Sequence, residues 1–561
     1  MFYDTPHALP DRMFAMRDLS TTGRRVAVVL LTLVAAALPA AAPSASFEDV
    51  SARSALDMVL SNSPTPAKHQ IETMLGGVAA LDYDGDGLLD LYFTNGAAQP
   101  SLLKSDATYW NRLYRNRGNG VFEDVTAKAG VRGEGYNMGV AAADYDNDGH
   151  PDIFIAGVRR NILYRNRGDG TFEDVTAKAG IHGENWSVAA GWFDYDNDGR
   201  LDLFVVNYVE WNPVTEQVCN DPKSGQAAHC HPKFYNPLPN TLYHNNGDGT
   251  FTDVSAASGI RAHPGKGMSV AFADYDGDGL IDAMVTNDTL PNSLFHNDGK
   301  GHFSEVGMTA GIALNDDGRA VSSMGVDFRD VDNDGRPDLF ITALVNESYP
   351  LYRNLGKGLF ADFTYRSKVG AATMMYTGWA NGIYDFNNDG RKDLFCANGD
   401  LNDNAEALSG RAARQPNAVL FQHSNGTFEP VLTGPPARYR GAAFGDFDND
   451  GRIDAVVARI GEKPLFLRNT AANGNHWLGL KLEGRTANRD AIGAWVKLTT
   501  PGGDQWNQVT TSVGYASSSD VRVHFGLGAA TRAAIEIHWP GGQVQQLTDL
   551  PADQYHTVKQ P

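Results

Sequence analysis

The stretch DYDGDGLLD, residues 82–90, sets four carboxylates in nine positions with glycine at the sixth. Asp82, Asp84, Asp86 and Asp90 repel one another unless a cation joins them. Hard oxygen ligands at positions 1, 3, 5 and 9, with the main-chain carbonyl of position 7, are what a flexible Ca²⁺ shell accepts. The glycine permits the turn that brings that carbonyl inward. Mg²⁺ fits less well, because it demands a near-ideal octahedron and keeps its waters. An EF-hand needs a bidentate glutamate at its last loop position; here Phe93 stands there and ends a strand-like run, LDLYF. A single loop of this kind reads as an ordinary solvated turn, given the turn preference of Asp, Asn and Gly.

Repetition decides between the two. The pattern D-x-[DN]-x-D-G-x-x-D returns at Asp144, Asp146, Asp148 and Asp152, at Asp194, Asp196, Asp198 and Asp202, and at Asp274, Asp276, Asp278 and Asp282. It returns again at Asp330, Asp332, Asp334 and Asp338, at Asp385, Asn387, Asp389 and Asp393, and at Asp446, Asp448, Asp450 and Asp454. The position matching Phe93 is apolar every time: Ile155, Val205, Val285, Ile341, Cys396 and Val457. The flanks alternate and are β-rich. The expected cofactor is Ca²⁺, up to seven ions, with the sixth loop weakest because Asn387 replaces a carboxylate. The formal net charge is −20; the loops supply 7 × 4 − 1 = 27 aspartates, and seven Ca²⁺ would leave −6. That acidity argues against a nucleic-acid partner.

Successive loops lie 62, 50, 80, 56, 55 and 61 residues apart, the range of a radial array of four-stranded blades. Between them runs a second signature, as in LYRNRGNGVFEDVT (113–126) and LYRNRGDGTFEDVT (163–176): strand, glycine turn, strand. Seven loops meet only six complete hairpins. The unmated strand PLFLRN (464–469) and the unmated FEDVS (47–51) supply the seventh if the ends of the repeat region pair. The fold class expected is therefore all-β: a seven-bladed propeller with calcium loops over 47–470 and a small β-sandwich-like domain over 471–561. The loops and glycine turns share one rim. The connections between second and third strands, and between one blade and the next, share the other.

Residues 1–46 read as a signal peptide and leader, with Arg24 and Arg25 before the apolar run VAVVLLTLVAAAL (26–38) and small residues after it. The expected location is secreted, periplasmic or cell-surface, with no membrane span in the mature chain. Cys219 and Cys230 read as a disulfide stapling the long loop 209–240, and Cys396 as a buried free thiol.

The tail contains NRDAIGAWV (488–496), GY (514–515), VHFGLG (523–528) and IHWPGG (537–542). These segments resemble the ASPIC/UnbV module, and the seven acidic repeats resemble the FG-GAP/VCBS propellers of integrin α chains. The pairing is similar to the cartilage acidic protein family and its bacterial relatives, over nearly all of 47–550. Trp495 stands where that family pattern carries arginine, so no role of the arginine carries over. The resemblance implies a calcium-binding propeller outside the cytoplasm and implies no reaction.

No GxSxG, HExxH or P-loop motif occurs, and no catalytic residue is assigned. The blade-to-blade connections bring aromatic and polar groups to the face opposite the loops. Tyr136, Asn137, Trp186, Lys266, Trp379 and Arg440 are the candidate ligand contacts there, with Trp186 or Trp379 alternatively plugging the central channel. The function expected is recognition of a glycan or protein partner through that face. The alternative is an enzyme acting on a polysaccharide or secondary metabolite, with its active site on those connections.

Overall fold

Each acidic loop joins the two inner strands of a four-stranded antiparallel sheet. In the computed structural model, which describes residues 46–561, the first such sheet runs Val78–Leu81, Asp90–Phe93, Arg112–Asn116 and Phe122–Asp124 from the axis outward. Six more sheets repeat this order, making seven with one acidic loop each. The apolar leader at 26–38 lies outside the described residues. The inner strands touch in cyclic order: Val78–Leu81, Tyr136–Ala143, Ser187–Phe193, Gly267–Ala273, Val326–Arg329, Gly378–Tyr384, Tyr439–Gly445 and back to Val78–Leu81. Being buried on both faces, they read as runs of small and apolar residues without alternation. Crowding near the axis explains the glycines among them: a Cβ on Gly139 would lie 2.3 Å from the Val188 carbonyl of the next sheet.

The ring closes through the ends of the repeat region. Phe47–Asp49 is the outer strand of the seventh sheet, with Phe47 opposite Asn469 and Asp49 opposite Leu467. A second closure runs through side-chain amides. At the end of every third strand an Asn or Gln reaches back to the loop of the preceding sheet: Asn166 Nδ2 to the Tyr83 carbonyl at 2.8 Å, Asn245 to Tyr145 at 2.9 Å, Asn297 to Tyr195 at 2.7 Å. Asn354 does the same to Tyr275, Gln422 to Val331 and Asn469 to Phe386. Asn116 completes the circle onto Phe447 of the seventh sheet at 2.9 Å. Six of these amides are the N of the LYRN signature, and Gln422 takes its place in the sixth sheet.

The C-terminal residues form two small sheets. His476–Glu483 lies between Val523–Gly528 and Tyr555–Lys559, and a four-stranded sheet orders Gly503–Gln508, Trp495–Thr500, Arg532–His538 and Val544–Pro551. Leu480, Val496, Phe525 and Ile537 share one apolar cluster with Trp192 and Leu203 of the third sheet, so the module has no core wholly its own. It rests on the acidic rim. Tyr555 donates to Asp446 at 3.0 Å, the Asp144 amide donates to Asp490 at 2.8 Å, and Gly528 donates to the Asn388 carbonyl at 2.9 Å.

From this module the segment Val509–Asp520 descends the axis of the ring, buried along its whole length. It hydrogen-bonds main-chain groups of the inner strands of several sheets. Val140 donates to Ala516 at 3.1 Å, Ser518 donates to Val78 at 2.9 Å and Gly514 donates to Val326 at 2.9 Å. Inner strand edges left bare in a dry channel would each cost a hydrogen bond. The expectation that Trp186 or Trp379 plugs the channel is corrected accordingly. Tyr515 fills the axis, Trp379 packs on it edge-on at 5.0 Å, and Trp186 lies against Tyr208 and Trp211.

Deleting residues 47–51 removes the closing strand together with the Phe47 ring on Phe386 and the buried Val50. The expected loss is roughly 2–4 kcal/mol from ladder hydrogen bonds and apolar burial. Scanning calorimetry checks it, and an unchanged melt would mean that the ring does not depend on this strand.

Candidate metal sites on the acidic rim

The loops are preformed by their own main chain. The first aspartate accepts from the amides of positions 5 and 6, as Asp194 does from Asp198 at 3.0 Å and Gly199 at 3.0 Å. The fifth accepts from position 7, as Asp334 does from Arg336 at 3.0 Å. The ninth begins the second strand and is buried in all seven loops. One of its oxygens accepts from position 2 and the other from the end of the third strand: Asp90 from Tyr83 at 3.1 Å and Asn116 at 2.7 Å, Asp338 from Val331 at 3.0 Å and Asn354 at 2.7 Å.

Position 3 is left least satisfied by the protein. Oδ1 of Asp84, Asp276, Asp332 and Asp448 is buried with no hydrogen-bond partner, and so is Oδ1 of Asp82. Asp82, Asp84 and Asp86, Asp144, Asp146 and Asp152, and Asp194, Asp196 and Asp198 each bring ligand atoms within 4.8 Å of one another, so these acidic clusters can hold a metal ion. Burial, reinforced by the neighbouring carboxylates, pushes Asp90 up to about 8 and Asp282 up to about 9. Orphaned, converging oxygens of an all-carboxylate set fit a hard divalent cation.

A basic side chain from the third strand stands over each of six loops. Arg115 pairs with Asp84 at 2.6 Å and Asp86 at 2.9 Å, Arg165 with Asp146 and Asp148, Arg468 with Asp448, and Arg353 with Asp332. In the third and fourth sheets the place is taken by His244, 3.3 Å from Asp202, and His296, 3.3 Å from Asp282. The R/H column of LYRN and LYHN is the sequence signal for this pairing. In the sixth sheet the position is Phe421, buried, so the loop that lacks one carboxylate also lacks the cation. Its Asn387 carbonyl is held instead by Asn475 of the tail at 2.9 Å.

Position 4 links loop to loop. Asn147 donates to the Gly199 carbonyl at 3.1 Å, Asn197 to Gly279 at 3.3 Å, Asn333 to Gly390 at 2.9 Å, Asn388 to Gly451 at 2.9 Å and Asn449 to Gly87 at 3.0 Å. All five have φ between 55° and 61°, the left-handed region that asparagine and glycine tolerate best. The first and fourth loops carry Gly85 and Gly277 at this position and lack the link.

On the opposite face, the six candidate ligand contacts are interior. Arg440 lies over the Trp379 ring at 3.9 Å and donates to Thr73 at 2.6 Å, and Trp379 donates to Gly399 at 2.8 Å. Tyr136 donates to the Asn62 carbonyl at 3.0 Å, Asn137 accepts from Asn111 at 3.0 Å, and Lys266 donates to Pro232 at 2.8 Å. All six, Trp186 included, are buried and present no surface to a ligand. The reason is the strap 61–75, which closes this mouth of the channel and is pinned by Lys68 on Asp403 at 2.6 Å and His69 on Glu216 at 2.7 Å. Cys219 and Cys230 form a disulfide in the adjoining loop, and Cys396 is a buried thiol. His524 is a satisfied core histidine, 3.0 Å from the Gly451 carbonyl, and burial pushes its pKa down to about 4. Among the described residues no helix is long and apolar enough to cross a membrane.

Acidic loops at the inner turn of every sheet of a closed ring define a repeat class. Residues 82–155, 144–205, 234–285, 276–341, 330–396 and 385–457 match the FG-GAP-like repeat, together more than half of the chain, and the chain belongs to that family. Residues 484–561 match the ASPIC and UnbV family. Among individual proteins it is similar to cartilage acidic protein 1 of Homo sapiens, 24% identical over 495 residues, and of Mus musculus, 25% identical over 491. Each match covers 83% of this chain but only 60% and 62% of the relative. Solved structures similar in fold include an Agrocybe aegerita lectin that recognises non-reducing terminal N-acetylglucosamine (TM-score 0.37, 16% identity, 69% of this chain and 87% of that one). The complex of BBS1N with ARL6DN supplies another (TM-score 0.41, 10% identity, 77% and 98%).

Asn449→Ala removes an interloop hydrogen bond and places a Cβ without a polar side chain at φ 55°. The expected cost is about 1–3 kcal/mol in urea unfolding, and Asn449→Gly recovers the conformational part of it. Equal losses for the two would assign the whole effect to the hydrogen bond.

Proposed function

We propose that this is an exported Ca²⁺-binding recognition protein: its acidic loops take up to seven Ca²⁺ ions, and the face opposite them binds a glycan or protein partner. The observation that carries the recognition half is the combination of a rigid support and an exposed apolar edge. The long loops of that face display Val214 at 88% exposure, Leu103 at 64%, Val218 at 60% and Phe234 at 55%. Beneath them lie the disulfide, the strap and the Arg440–Trp379 stack. Exposed apolar side chains on cross-linked loops suit a partner, since little order is lost on binding. The buried candidate residues then act as support for the recognition loops. A disulfide favours an oxidising location, hence secretion, the periplasm or the cell surface.

The enzymatic alternative draws on one feature of the same face. The His229 side chain is shielded from solvent with Nε2 unpartnered, 3.8 Å from Glu72 and near Asp403. A polysaccharide or secondary-metabolite substrate would have to lift the strap to reach it.

Chelation tests the metal half. Exhaustive EDTA treatment is expected to lower the melting temperature strongly and cooperatively, with recovery on adding Ca²⁺; each site filled at a hundredfold excess over its Kd contributes about 3 kcal/mol. No change in the melt would exclude the role given to the loops. For the recognition half, a Val214→Asp, Phe234→Asp double variant is expected to lose about tenfold or more in capture on glycan and cell-surface protein arrays. Both side chains are exposed, so its melt stays at the wild-type value. Undiminished capture would move the surface elsewhere.

A further inference from the structure

The chain of interloop asparagines is open between the first and second loops, where Gly85 stands in place of the bridging residue. A cavity of about 180 Å³ lies at that gap, between Asp82 and Gly85 of one loop and Asp144 and Gly149 of the next, and the C-terminal module roofs it. Ala80 and Ala142 give it an apolar floor and Leu482 an apolar patch in the roof, while Asp490, Lys481 and Thr511 stand in its wall. The Thr511 hydroxyl is buried with no hydrogen-bond partner. Lys481, an exposed residue, lines the cavity together with Asp82 and Asp490 and makes an ion pair with neither.

We propose that this cavity binds a single neutral sugar ring. The volume exceeds that of a cavity of about 150 Å³ that takes up benzene, so a six-membered ring fits. An apolar floor packs the C–H face of a pyranose, and convergent carboxylate, hydroxyl and ammonium groups pair with its hydroxyls. Charge selects against the alternatives. With Ca²⁺ in the first two loops, the remaining charges of the lining cancel, Glu483, Asp490 and Asp520 against Lys481, Arg489 and Arg522, so a charged sugar would lose hydration with no net opposite charge to meet it. The site lies on the face opposite the recognition loops and does not depend on them.

Gly85 keeps the mouth open. Its φ is 72°, and a Cβ there would meet nothing within 4 Å. An asparagine is therefore tolerated and would reach toward Gly149 across the entrance, as its counterparts do in the other loops. Gly277 is the matched control, since the fourth loop does not line the cavity.

The test is calorimetry and saturation-transfer NMR on the full Ca²⁺-loaded chain with glucose, galactose, mannose, glucosamine and glucuronate. At least one neutral hexose is expected to bind, with the charged sugars about tenfold weaker or more. Gly85→Asn is expected to weaken the hexose about tenfold or more, while Gly277→Asn leaves it unchanged and both melt as the wild type. If Gly85→Asn does not fold, Thr511→Val serves instead, with a loss of about fivefold for one hydrogen bond. Absence of hexose binding, a preference for a charged sugar, or full binding by Gly85→Asn or by a folded Thr511→Val each overturns the proposal.

Discussion

The structure depends on one side chain placed seven times: the carboxamide that ends each third strand. Its main-chain amide feeds the ninth aspartate of its own loop, and its side chain donates to the loop before it. A single position thus fastens the acidic turn to its sheet and the sheet to its neighbour. Asn116 on Phe447 is the same contact as Asn166 on Tyr83, which makes the first and seventh sheets neighbours on equal terms with any other pair. Gln422 performs the task in the sixth sheet, so the requirement is for an amide donor rather than for asparagine as such.

Much of the acidic rim works against folding until it is neutralised. The ninth aspartates are buried and hydrogen-bonded through both oxygens, yet burial raises their pKa values, and the third-position carboxylates Asp84, Asp276, Asp332 and Asp448 keep an oxygen without any donor. Arginine or histidine from the third strand meets part of this charge, and a divalent ion suits the rest. The sixth sheet shows that the two compensations are matched. Where Asn387 relieves the negative charge, Phe421 removes the positive one, and the tail's Asn475 takes over the exposed carbonyl.

The loops, the strand pairing of 47–49 with 467–469, the disulfide and the core role of Cys396 were legible because each rests on a local pattern or a count. The axial segment was not. TTSVGYASSSD (510–520) is small and polar, and nothing in it announces a place on the axis; its burial follows from inner strand edges contributed by several distant sheets. The far-face residues failed for the same reason. Aromatic and basic side chains at a mouth suggest a ligand, and nothing near Trp379 or Arg440 in the chain announces that a strap from residues 61–75 will cover them. His244 and His296 were recoverable, since aligning the LYRN column places them where arginine stands elsewhere.

Ring closure joins residues from opposite extremes of the repeat region: the hydroxyls of Ser46 and Thr470, 424 positions apart, hydrogen-bond beside the closing pair of strands. Contacts of such sequence separation come late in folding, after the intervening chain has been ordered. Synthesis must therefore run almost to the tail before the last sheet can be completed, and until then the nascent ring carries two unpaired edges.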